Sequence, residues 1–138
     1  MDTKFSVAVH ILILISESPD PMNSEQMAGS VGTNASYVRK ILALLKKAEI
    51  VDSHRGVSGY TLTTTPERLT LLKIYLAVME ESKIHLLDVH QNPNDQCVVG
   101  CHIRPVLIGM FEDMEEVFAR SLEDKTLADC IDDIRKRI

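Results

Sequence analysis

The chain has 138 residues, 45% hydrophobic and 4% aromatic with no tryptophan, and a net charge of −5. That leaves room for one compact domain with a long appended helix, built on an aliphatic and mainly helical core. Three cysteines, an odd number, exclude a structural disulfide framework and point to thiols or ligands.

The first apolar run, Phe5 to Ile15, lacks a basic leader beyond Lys4 and a small-residue cleavage site, and it is too short to span a bilayer. It reads as a buried first helix, so a cytoplasmic protein without membrane association is expected. Asn23, with Gln26 three positions on, has the spacing of a capping box and opens a second, short helix. That helix breaks at Gly32, and a third follows from about Asn34 to Lys47. Ile50 to Thr63 then reads as strand, glycine-bearing tip, strand, with Gly56 and Gly59 permitting the positive φ of a tight turn. Helix, turn, helix and β-wing in this order predict a winged helix-turn-helix, whose second helix enters a DNA major groove.

The third helix carries Val38, Ile41, Leu42 and Leu45 at helical spacing, which turns them inward. Turning by about 100° per residue places Ser36, Lys40, Ala43 and Lys47 on the outer face, flanked by Tyr37 and Arg39. Ser36, Tyr37, Arg39 and Lys40 are the expected groove and phosphate contacts. Arg55, beside Gly56 at the hairpin tip, is placed for the minor groove. Charge is partitioned accordingly. Residues 33–65 hold five basic against two acidic side chains, a net +3, whereas residues 111–138 hold five against nine, a net −4. Such a dipole orients approach to phosphate.

After a turn at Thr64 to Glu67, a helix is expected from about Thr70 to Glu80, with Leu71, Leu72, Ile74, Tyr75 and Val78 as its apolar face. Residues 81–100 are polar and turn-rich around Asn92-Pro93-Asn94-Asp95. A long helix, roughly 30 Å, starts near Cys101. Its residues Ile103, Leu107, Met110, Met114, Val117 and Ser121 form a heptad-like seam suited to a homodimer. The acids Glu112, Asp113, Glu115 and Glu116 read as its solvated face. A last amphipathic helix runs from about Thr126 to Arg137. The expected division is a DNA-binding domain at 1–80, a loop and sensor region at 81–100, and a dimerisation helix with the C-terminal helix at 101–138.

Several segments together resemble the Rrf-two family of bacterial winged-helix transcription factors. They are Phe5 to Leu12, Ala35 to Leu42, Leu44 to Val51, Arg55-Gly56 with Gly59-Tyr60, Leu71 to Val78 and the Asn92-Pro93-Asn94 loop. The resemblance covers nearly the whole chain in the family's order. It implies a homodimeric DNA-binding regulator, usually a repressor, on a partly palindromic operator in double-stranded DNA. Cluster-bearing relatives place three cysteines near the loop before the long helix; this chain has only Cys97 and Cys101 there, with Cys130 far downstream.

Three readings of the cysteines stand side by side. Cys97, Cys101 and His102, with His85 and His90 in reserve, offer donors for a soft metal or an iron–sulfur cluster, but their spacing specifies neither, so no cofactor is predicted. Cys101, near a helix N-terminus, with Cys97 as resolving partner would make a thiol switch, provided the chain between them is not helical. Cys97 and Cys130 also suit small buried apolar positions. No nucleophile–base pairing or glycine-rich phosphate loop is visible, so an enzyme is not expected. The competing function is a winged-helix protein–protein adaptor that does not bind DNA.

Overall fold

The computed structural model describes residues 2–53 and 59–138. Their regular structure comprises α1 (Lys4–Glu17), α2 (Ser24–Val31), α3 (Ala35–Lys47), β1 (Val51–Ser53), β2 (Tyr60–Leu62), α4 (Leu71–Met79), α5 (Ile103–Glu123) and α6 (Leu127–Arg137). The two strands pair antiparallel, with Val51 opposite Leu62 and Ser53 opposite Tyr60. The expected turn before α4 is a short 3-10 helix at Pro66–Arg68. This is a mainly α winged helix-turn-helix with a small hairpin and a long C-terminal helix.

Local chemistry sets the helix starts. Asn23, Asn34, Thr70 and Thr126 each accept a backbone N–H from the first turn of the helix they open. Each such cap is worth roughly 1 kcal/mol. At Asn23 and Thr126 the capping box is reciprocal. Gly59 has φ 115°, and a side chain there would run into Pro21, so the base of the wing lies close against the connection between α1 and α2.

The core gathers Ala8, Ile11 and Leu12 of α1, Met27 of α2, Val38, Ile41, Leu42 and Leu45 of α3, and Ile74 and Val78 of α4. The apolar run Phe5 to Ile15 is thus a core helix. No helix among the described residues is long and apolar enough to cross a membrane. Edge-to-face ring pairs link Phe5 of α1 to Tyr75 of α4 (5.3 Å) and Tyr75 to Phe118 of α5 (5.8 Å). They carry packing from the first helix to the long one.

The last helix, α6, packs back against the helices that open the chain. Leu127 and Ile131 belong to the same core as α1–α4. The Leu127 N–H donates to the Leu69 carbonyl (2.8 Å), and the Leu71 N–H to that of Lys125 (2.9 Å). Arg135 clasps both carboxylate oxygens of Glu17, at 2.9 and 3.0 Å. One expectation changes at Glu115, expected on a solvated face. It is only 7% exposed, because residues 83–91 lie as a strap along α5 and present backbone N–H groups to its carboxylate.

Candidate nucleic-acid interface and sensor loop

The reading head is built by the α2–turn–α3 unit. Gly32, in the left-handed region at φ 84°, ends α2 and donates its N–H to the Ala28 carbonyl (2.9 Å). Two residues on, the Asn34 side chain accepts the Tyr37 N–H at 2.8 Å and starts α3. Val38, Ile41, Leu42 and Leu45 are all buried, which fixes the rotation of α3 about its axis. Ser36, Arg39, Lys40, Ala43 and Lys47 are consequently exposed and Tyr37 half-buried, as their spacing predicts.

Arg39 does not hang free. Its Nη1 donates to Ser24 Oγ (3.2 Å) and pairs with Glu25 (3.4 Å), so the guanidinium lies back across the start of α2. Sequence spacing gave no sign of this pairing, since it depends on how α2 and α3 cross. At the other end of α3, Lys46 Nζ donates to Ser53 Oγ at 2.7 Å and ties the helix to β1. Arg55 and Gly56, the expected wing contacts, lie outside the described residues.

The loop before α5 carries the two expected sensor thiols, and both are exposed. Gly100 sits so close to the Asn94 carbonyl that a side chain there would collide with it. The resulting turn directs the N–H groups of Gly100 and Val99 at Cys97, which hold its thiol below the ordinary value. The Cys101 N–H donates to the Cys97 carbonyl at 2.9 Å, closing one α-type turn between the two residues. A disulfide between them would have to form across that turn. Cys130 lies apart on α6, half-buried, its thiol pushed up by burial and then by Asp129 and Asp133. Among the described residues no three His, Cys, Asp or Glu side chains converge to hold a metal ion. With two cysteines on one turn and the third on another helix, the donor set does not fit an iron–sulfur cluster.

The strap is held by two side chains of α5. The Glu115 carboxylate accepts the N–H groups of Leu86 and Leu87, the latter at 3.0 Å. Arg104 donates to the carbonyls of His90 and Val89. His85 hydrogen-bonds Asp88 at 2.6 Å, and that bond raises the imidazole above its ordinary value. The Leu86 and Leu87 N–H groups in turn hold Glu115 below the usual carboxylate range. A carboxylate depressed in the folded state contributes stability above the ordinary glutamate value of about 4.3, and loses it as pH falls through the depressed value. The Leu86 and Leu87 amides should therefore lose hydrogen-exchange protection on acidification below that value, ahead of the buried amides of α3. Unchanged protection of both would show that Glu115 does not hold the strap.

Along α5 the expected seam is largely bare. Met110, Met114 and Val117 are 54%, 55% and 60% exposed and Ser121 is exposed as well, whereas Ile103 and Leu107 are half-buried; Val106, outside the expected seam, adds a further apolar side chain, 49% exposed, on the same side of the helix.

Comparison with known proteins agrees with this architecture. The Rrf2 family, described as iron-dependent transcriptional regulators, matches residues 1–133. YwnA of Bacillus subtilis, named among the HTH-type transcriptional regulators, is 40% identical over 94% of this chain and 95% of its own. A crystal structure described as that of a DNA-binding protein superposes with a TM-score of 0.78 at 37% identity, covering 93% of this chain and 98% of that one. IscR of T. potens shares the fold alone, with a TM-score of 0.70 at 21% identity over 97% of this chain and 87% of its own.

Proposed function

The chain belongs to the Rrf2 family of transcriptional regulators, and from that premise we propose that it acts as a cytoplasmic homodimeric repressor of a partly palindromic operator. The observation that carries this reading is the polar outer face of α3, turned outward by four buried aliphatic residues on its other side. Ser36, Tyr37 and Lys40 read the major groove and its phosphates, Arg39 joins them by leaving Ser24 and Glu25 for the DNA, and Arg55 with Gly56 serves the minor groove from the wing. Two such heads are joined through the exposed apolar stripe of α5, a feature that a lone surface helix does not carry without a partner. Residues 81–100 form the sensor segment between head and dimer helix. Cys97, exposed and with a lowered thiol pKa, takes the reactive role expected of Cys101, its neighbour on the same turn.

The deciding experiment is a fluorescence anisotropy titration against DNA from the chain's own upstream region, repeated across salt concentrations. A groove reader loses affinity steeply as salt rises, by about one log unit per log of salt for each phosphate contacted. Lys40→Ala should lower that slope by about 1 and weaken all sequences alike, whereas Tyr37→Ala should cost about 1–3 kcal/mol on the operator and little on random DNA. No binding to any promoter fragment would instead favour a winged-helix adaptor.

A further inference from the structure

Beyond DNA reading, the strap and α5 enclose a cleft of about 500 Å³, within the size range of small-molecule sites. It opens on the side of α5 roughly opposite the Val106–Met110–Val117 stripe, so a dimer formed through that stripe leaves it accessible. Its walls are apolar and unfinished. Leu87 and Ile108 line it while remaining 40% and 38% exposed, with Phe111 beside them.

The charges around the cleft divide into two groups. Glu115 and Arg104 are engaged by the strap backbone, and His85 is paired with Asp88. Glu112 and Glu116, one turn apart on α5, also line the cleft and make no hydrogen bond or ion pair among the described residues; Lys83 is the one cation lining it in the same condition. Two uncommitted carboxylates against one uncommitted ammonium, over an apolar floor, select positive charge on a greasy body. An anion of the same shape would meet like charge.

We infer that the strap–α5 cleft is a binding site for a small lipophilic organic cation, held by Glu112 and Glu116 above the surface of Leu87, Ile108 and Phe111. The ligand lies against both anchors of the strap, Glu115 and Arg104, so its occupancy is read directly by the segment that precedes α5.

Isothermal titration calorimetry of the full chain with tetraphenylphosphonium and with tetraphenylborate, two ions of one shape and opposite charge, tests this. The cation should bind at one site per chain and the borate should not. Glu112→Gln combined with Glu116→Gln should weaken the cation by about tenfold or more. Because both side chains are exposed and unpaired, the thermal melt should stay unchanged. Ile108→Trp, which fills the cleft from an exposed position, should remove cation binding with the fold intact. Equal binding of the two ions, no binding of the cation, or full affinity in either variant would overturn the site. The titration contains no DNA, so its failure leaves the operator reading untouched, and loss of operator binding leaves this result standing.

Discussion

Val117→Glu is expected to turn the protein into a monomer in sedimentation equilibrium and to reduce operator affinity by about 100-fold or more. Val117 is 60% exposed beside Met110 and Met114, so in the isolated chain a glutamate there has water on one side and costs the fold little. In a dimer built on the stripe, the same carboxylate meets its symmetry mate in an apolar seam. Desolvating two like charges costs far more than the lost packing of two valines. The loss on DNA follows because the second head no longer binds as part of one molecule. A variant that stays dimeric and keeps its affinity would place the interface elsewhere.

Leu127→Ala should destabilise the reading head itself, by about 2–5 kcal/mol in urea titration. Leu127 is fully buried in the core formed with α1, α3 and α4, although more than sixty residues separate it from β2. Truncation leaves a cavity that neighbours cannot fill without moving the short antiparallel contact between Thr70 and Thr126. Ile134→Ala on the same helix provides the control. At 44% exposure it should cost within about 0.5 kcal/mol. Equal small losses at the two positions would mean that α6 merely rests on the head.

These cases mark where the sequence could be read and where it could not. The capping box of Asn23 and Gln26, Gly32, the buried side of α3 and the approximate bounds of α4 follow from local rules of spacing and hydrogen bonding, and they appear where expected. Periodicity alone recovers the apolar side of α6 as well. What periodicity cannot name is the partner of that side, which in the folded chain is the core of α1–α4. Glu115 fails for the same reason. On a helical wheel it is indistinguishable from Glu112 and Glu116, and only the path of a strap 28 and 29 residues upstream separates a backbone anchor from two free acids. The Arg39–Glu25 pair likewise depends on a helix crossing.

The docking of α6 also governs the order in which the protein can be made. Glu17 and Arg135 are 118 residues apart, and Leu127 and Ile131 complete a core whose other members emerge from the ribosome long before them. Chains usually fold from the N-terminus as they are synthesised. Here α1–α4 must wait with part of their apolar surface uncovered until α6 arrives. A chain released before Leu127 is therefore expected to hold all of α3 and to lack part of the buried surface that keeps it in place.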